Sequence, residues 1–190
     1  MNNELLEYFK ETEALLSGHF LLTSGKHSDQ YFQCAKVLQH PRYAEKFCTI
    51  LADAFRDQNI ETVIAPAVGG IVVGQEVARL LGARSIFSER ENGAMVLRRG
   101  FTLQPGERVL VCEDVVTTGG SVFEVIDIVK QAGAIPCGVG YIVDRSNGKV
   151  DFGIAQKATV SLSVVAYEKD DCPMCKSGSV PYKPGSRSIK

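Results

Sequence analysis

Residues 109–121 read Val-Leu-Val-Cys-Glu-Asp-Val-Val-Thr-Thr-Gly-Gly-Ser, an apolar run that ends in two adjacent carboxylates and continues into small hydroxyl and glycine residues. The second half suits an anion. Gly119 and Gly120 allow close backbone approach, and Thr117, Thr118 and Ser121 offer hydroxyl donors. A helix opening at this point aims free N–H groups and the positive end of its dipole at the same place. Glu113 and Asp114 would repel that anion and suit neutral hydroxyls or a nearby cation instead. A ligand with a phosphate at one end and a vicinal diol in its middle satisfies both halves, and ribose 5-phosphate is such a ligand. The plainer alternative is a pair of solvated acids followed by an ordinary helix cap.

These residues need a scaffold that brings a strand end and a helix start together. From about residue 60 the chain alternates short β-branched runs with longer helical patterns, which predicts a parallel α/β sheet. Strands are expected at 62–65, 84–87, 108–112, 138–143 and 160–165, with 108–112 apolar on both faces as a central strand must be. Helices are expected over 70–81 and 119–132, from Ile71, Gln75 and Ala78 and from Val122, Val125, Ile126 and Val129 at three- and four-residue spacing. Gly82 and Gly133 are their expected stops. Ahead of the core lie a helix at about 3–16, an aromatic and turn-rich segment at 18–37 and a helix at about 41–58. The last twenty residues, with Pro173, Pro181 and Pro184, read as loop or extended tail. In an open parallel sheet, ligands bind beyond the carboxyl ends of the strands, where residues 113–121 fall.

Composition excludes several classes. A chain of 190 residues, 45% hydrophobic and 23% charged, matches one domain on a prior of about 150 residues each and can hold a core without disulfides or metal. The 21 basic and 22 acidic residues give a net charge of −1, no global field for nucleic acid or an anionic membrane. The longest apolar run, 63–74, carries Pro66, Gly69 and Gly70 and is too short and broken to span a bilayer. The acidic start Met1-Asn2-Asn3-Glu4 lacks a secretory pattern, so a cytoplasmic location is expected. Cys34, Cys48, Cys112 and Cys137 stand singly among apolar residues, as buried thiols in a reducing compartment do.

The stretch 113–121 resembles the phosphoribosyl-pyrophosphate (PRPP) motif of the type I phosphoribosyltransferases. Residues 18–28 (Gly-His-Phe-Leu-Leu-Thr-Ser-Gly-Lys-His-Ser), the turn Ala65-Pro66-Ala67-Val68-Gly69-Gly70 and Asp144-Arg145 extend the resemblance over nearly the whole chain. The first and last of these are similar to the orotate branch of that family. The resemblance implies one phosphoribosyltransferase domain over 1–190: a five-strand parallel sheet flanked by helices (about 60–167), an N-terminal helix and hood (about 1–40) and an extended tail (about 168–190). It also implies Mg²⁺-dependent transfer of ribose 5-phosphate from PRPP to orotate, giving orotidine 5′-monophosphate and pyrophosphate in pyrimidine synthesis, by a homodimer with no nucleic-acid or membrane partner.

The site residues implied are Glu113 and Asp114 on the ribose hydroxyls, Val115, Val116, Thr117, Thr118, Gly119, Gly120 and Ser121 around the 5-phosphate, and Thr117 with Arg145 on orotate. Asp114 and Arg90 are the expected catalytic residues, Asp114 through its charge beside an electron-poor ribose ring and Arg90 from a lid over the pyrophosphate. The turn Ala67-Val68-Gly69-Gly70 can donate N–H groups to the leaving group, or its glycines simply let a helix pack closely. Residues 88–93 and 97–100 form the expected lid. They depart from many orotate relatives in carrying arginines but no lysine or histidine; Arg98 or Arg99 substitutes for a second basic residue, or both are solvated charges beside a hairpin. Arg145 can grip a carboxylate with two parallel bonds, or only pair with Asp144. Tyr31-Phe32-Gln33 is a candidate wall over the base, and Thr23 stands where some relatives have lysine, with Lys26 nearby.

Cys172-Pro173-Met174-Cys175 has the spacing of half a zinc knuckle. A closed site needs four ligands, so zinc here would require two chains to share it; His19, His27 and His40 lack metal spacing and read as polar hood surface. No protein-held metal is expected. Two rival functions remain open at this stage: transfer to another base, and a non-catalytic PRPP-sensing regulator.

Overall fold

A computed structural model describes residues 3–22, 24–162 and 165–183. Its main sheet has six strands in the order β5-β4-β3-β6-β7-β8, formed by β3 (Thr62–Pro66), β4 (Arg84–Glu91), β5 (Ala94–Leu97), β6 (Arg108–Val116), β7 (Ile135–Asp144) and β8 (Gln156–Ser161). Five of these are parallel, as expected, and β5 adds an antiparallel edge by folding back on β4 through the turn Asn92-Gly93.

Alternation along the central strand β6 divides the core. Leu110 and Cys112 face one side, packing with Val63, Val73 and Val77 and with Phe47, Leu51 and Phe55. Those residues belong to β3, to α4 (Gly69–Leu81) and to α3 (Pro41–Phe55). Val109 and Val111 face the other side, against Val122, Val125, Ile126 and Val129 of α5 (Gly120–Gln131). Helices therefore cover both faces, and a strand buried on both faces reads as the continuous apolar run seen at 109–112. Gly82 and Gly133 adopt left-handed conformations just past α4 and α5, close to the expected stops. Cys34, Cys48 and Cys112 are buried; burial pushes their thiols up, that of Cys48 to about 12, so none is a ready nucleophile.

Three expectations are corrected. The first helix, α1 (Asn3–Glu11), stops well before residue 16, because Glu13 takes a left-handed conformation while Ala14 N–H bonds to Phe9 O and Glu13 N–H to Lys10 O. This closure usually employs glycine, so glycine spacing gave no warning. Residues 15–32 then form a two-stranded antiparallel sheet, β1 (Leu15–Leu21) and β2 (His27–Phe32), followed by the short α2 (Cys34–Leu38). The last parallel strand lies at 156–161 rather than 160–165: β8 is an edge strand whose Gln156 and Lys157 are exposed, so the apolar run after it was a misleading marker. Ser163 and Val164 lie outside the described residues, as does Thr23.

The tail is not merely extended. It makes a 3-10 turn at Lys169–Asp171 and the helical turn α6 (Pro173–Lys176), and Cys172 is fully buried. Tyr167 exchanges two backbone hydrogen bonds with His27 of β2, both 2.8 Å, while Tyr182 bonds to His19 and Leu21 of β1 at 2.8 and 2.9 Å. The tail thus returns to the N-terminal hairpin.

Candidate active site

The ends of β3, β6 and β7 converge at one edge of the sheet. β6 carries Glu113 and Asp114 near its C-terminal end, and Thr117 to Gly119 connect it to α5. α5 begins after Gly119 with no side-chain cap and no acid in its first turn, so its leading N–H groups face outward unneutralised. Thr117, Thr118 and Gly120 are exposed and Ser121 half-buried, and together with Glu113, Val115, Val116 and Arg90 they line one concave surface. The structure therefore brings Arg90 together with the motif residues except Asp114, whose carboxylate turns to the start of α4.

Gly119 has a role other than close approach to a ligand. Its φ is +75°, and a side chain there would meet Phe152 at 2.9 Å and Val150 at 3.0 Å, so the residue seats the loop on the core beneath it. Gly120 is the one that opens toward the cleft, with Thr118 Oγ1 at 3.9 Å its nearest neighbour.

The two acids reach across to the β3–α4 turn. A Cβ placed on Gly69 would lie 2.2 Å from Asp114 Oδ2, which means that the carboxylate rests directly on the glycine backbone; one on Gly70 would lie 3.0 Å from Glu113 Oε1. The close packing of the helix on the sheet, offered earlier as the alternative for this turn, holds at Gly70, where a Cβ would also lie 3.2 Å from Cys112 O and 3.3 Å from Ala65 Cβ, while Gly69 meets the Asp114 carboxylate. Asp114 also accepts a hydrogen bond from Val115 N–H at 2.8 Å, and Glu113 one from Asp114 N–H at 3.0 Å. Glu113 is nearly buried and Asp114 half-buried. α4, like α5, starts with neither side-chain cap nor acid in its first turn. Two helix starts without side-chain caps thus flank a pair of carboxylates; that of α5 is open to an anion, and that of α4, against which the carboxylates rest, can take a second one with a cation between.

Arg145 follows β7, and its backbone N–H bonds to Val116 O at 2.7 Å, fixing it beside the motif. Its Nε is buried without a hydrogen-bond partner, and burial pushes the guanidinium down from its ordinary value, partly countered by Tyr31. The pairing with Asp144 considered earlier does not form. Asp144 is fully engaged by Ser146 N–H at 2.7 Å, Ser146 Oγ at 2.6 Å and Gly148 N–H at 3.1 Å. A desolvated guanidinium held beside a binding loop with an orphan donor is suited to an anionic partner.

The segment 88–100 is a hairpin whose arginines are engaged. Arg90 donates to Glu124 at 2.6 Å and to Gly93 O at 2.7 Å, Arg99 pairs with Glu89 at 2.7 Å and Arg98 with Glu91 at 3.4 Å. In the hood, Tyr31 lies within electrostatic reach of Arg145, whereas Phe32 is buried edge-on against Phe9 and belongs to the core. Lys26 pairs with Glu168 of the tail at 2.7 Å. A separate concavity at the opposite end of the sheet, around Arg84 and Glu107, is internally satisfied: Glu107 accepts from Arg84, Thr62 and Gln104 N–H.

The sequence reading missed one group. His19, His27, Cys172 and Cys175 lie together, although spacing had assigned the histidines to a polar hood surface and had required two chains for a zinc site. Both histidines are in fact buried. The ligand pairs stand about 150 residues apart, and only the return of the tail joins them; two histidines on facing strands of one hairpin were the available signal.

Comparison with known proteins agrees with this arrangement. A family model described as a phosphoribosyl transferase domain matches residues 33–152. The orotate phosphoribosyltransferase of Desulforamulus reducens is 59% identical over 186 residues, covering 98% of this chain and 97% of that one. Among solved structures, the orotate phosphoribosyltransferase of Aeropyrum pernix superposes with a TM-score of 0.70 at 24% identity, covering 83% of this chain and 93% of that one. The adenine phosphoribosyltransferase of Rhodothermus marinus gives 0.68 at 20% identity, covering 85% and 100%. The fold alone does not choose the base.

Proposed function

As this chain belongs to the phosphoribosyltransferase family and, within it, to the orotate phosphoribosyltransferases, we propose that it transfers ribose 5-phosphate from PRPP to N1 of orotate, giving orotidine 5′-monophosphate and pyrophosphate. The observation that carries the choice of base is Arg145, half-buried beside the motif, whose buried Nε has no hydrogen-bond partner. Of the bases considered, orotate alone offers a carboxylate to such a group. Adenine, hypoxanthine and uracil would leave it unpaired, at a cost of about 1–3 kcal/mol or more for a buried charged donor.

In this proposal the 5-phosphate sits on the start of α5 with the hydroxyls of Thr117, Thr118 and Ser121, and Glu113 and Asp114 accept from the ribose hydroxyls. Breaking the anomeric bond leaves positive charge on the ring and negative charge on the pyrophosphate. Asp114 then faces the growing positive charge, while the N–H groups at the start of α4 face the leaving group. Arg90 turns from Glu124 to the pyrophosphate as hairpin β4–β5 closes and excludes water. Thr117 and Arg145 orient orotate, with Tyr31 of the hood beside it.

The Mg²⁺ implied by the family fits this donor set. Such an ion prefers phosphate oxygens and water with one or two carboxylates, and Asp114 and Glu113 are the carboxylates within reach. When bound it neutralises charge on the pyrophosphate. The whole chain acts as one domain in this reading and works as a cytoplasmic homodimer; no helix among the described residues is long and apolar enough to cross a membrane.

Steady-state assays with orotate, adenine, hypoxanthine and uracil test the proposal. Turnover of orotate alone is expected, and turnover of another base without orotate would overturn it.

A further inference from the structure

The cluster between the hood and the tail plays no part in the proposed reaction. His19 Nε2 and His27 Nδ1 are 2.9 Å apart; Cys172 Sγ lies 3.5 Å from His19 Nε2, and Cys175 Sγ lies 3.8 Å from His19 Nε2 and 3.2 Å from His27 Nδ1. All four ligand atoms fall within 4.8 Å of one another, and among the described residues this is the only group of three or more His, Cys, Asp or Glu so arranged.

Hydrogen bonding does not account for this geometry. The Nε2 atom of His19 meets three polar atoms at once, yet an imidazole nitrogen carries either one proton or one lone pair in its ring plane and serves one such partner well. A single central cation resolves the conflict by taking one lone pair from each of the four. For tetrahedral zinc, Zn–S near 2.3 Å and Zn–N near 2.0–2.1 Å place S···N edges at about 3.5 Å; three of the four S···N edges here run from 3.2 to 3.8 Å, and the fourth, Cys172 Sγ to His27 Nδ1, is within 4.8 Å. A two-iron cluster would instead separate its histidine pair from its cysteine pair, one pair on each iron. Cys172, His19 and His27 are buried and Cys175 half-buried, as in a closed structural site with no open position for substrate.

We propose that His19, His27, Cys172 and Cys175 of one chain bind one structural zinc ion that fastens the C-terminal tail to the N-terminal hairpin. The two histidines come from β1 and β2, and the two cysteines flank Pro173 and Met174 at the start of α6. A two-stranded hairpin is marginal by itself in water. The ion cross-links it to a segment some 150 residues away in sequence and so holds in place the hood that carries Tyr31 on β2.

The test is metal content, which is independent of the base assignment. Wild-type protein purified under reducing conditions without chelator should contain about one zinc per chain by elemental analysis. Protein refolded with Co²⁺ should show the visible absorption and sulfur-to-metal charge transfer of tetrahedral thiolate coordination. Cys172→Ser with Cys175→Ser should lose both signals, and Cys137→Ser should keep them. Wild-type protein that holds little zinc and gives only octahedral cobalt absorption would overturn the proposal. So would a Cys172–Cys175 disulfide in the reduced preparation, or zinc retained in full by the double variant. Wild-type protein that is purified without zinc yet turns over orotate would leave the base assignment standing while this proposal fell.

Discussion

Replacing Gly69 with alanine is the sharpest test of the contact between the two loops. Gly69 opens α4 with no positive φ, so the backbone accepts alanine, and lost freedom in the unfolded chain favours the variant by about 0.4–1 kcal/mol. The added methyl would stand 2.2 Å from Asp114 Oδ2 and 2.6 Å from its Cγ, so the carboxylate must swing away. Asp114 is half-buried and outside the core, which lets it move without disturbing the packing. If it bonds a ribose hydroxyl, displacement forfeits a charge-assisted bond of about 1.5–3 kcal/mol. That corresponds to a fall of roughly 10- to 150-fold in kcat/KM for PRPP. The assay is initial-rate kinetics with PRPP varied at saturating orotate, beside a thermal melt expected to shift little. A double-mutant cycle isolates the cause: Gly69→Ala added to Asp114→Ala should cost far less than it does alone. Unchanged PRPP kinetics in the single variant, or strict additivity in the cycle, would refute the placement of Asp114.

Other perturbations probe the remaining parts. Arg145→Ala should raise the KM for orotate by an amount equivalent to about 1.5–3 kcal/mol with little change for PRPP, and Arg145→Lys should restore only part, because an ammonium lacks the planar fork; equal losses for both substrates would argue against the role. Asp114→Asn should lower kcat more than it raises either KM, checked under saturation. Gly119→Ala should cost roughly 2–4 kcal/mol of stability, the sum of a left-handed alanine and forced contacts with Phe152 and Val150, read from urea midpoints. For Glu107, burial pushes the carboxyl up, but bonds from Thr62, Gln104 N–H and Arg84 outweigh it and hold the pKa below the ordinary 4.5. Its stabilisation is therefore present above that value and lost as pH falls through the lower folded pKa; Glu107→Gln should flatten this acid limb in denaturation midpoints measured against pH.

Four of the five parallel strands, β3, β4, β6 and β7, and the helices α3, α4 and α5 were legible because their apolar residues recur at the right period and fill both sides of β6. The motif was legible because residues 113–121 are contiguous, so strand end, acids and helix start are written in order. What escaped depended on contacts distant in sequence or on unusual backbone. Glu13 ends α1 without glycine, and the edge strand β8 shows little apolar pattern. The partnering of Arg90 by Glu124 joins a hairpin to a helix 34 positions away, and nothing in either segment announces it. Freedom of Arg145 from Asp144 turns on Ser146 and Gly148 satisfying that acid first, a matter of loop geometry rather than residue type.

The placement of Tyr167 along β2 and Tyr182 along β1 bears on how the protein behaves when crowded. A lone hairpin presents two rows of open amides and carbonyls, each a template onto which a neighbouring molecule can zip. Here the chain's own C-terminal segment occupies positions along both borders, so the ribbon is capped from within. Trimming the tail at residue 166 would bare them together, and self-association of the shortened protein, followed by light scattering against concentration, is the cost the fold avoids by doubling back.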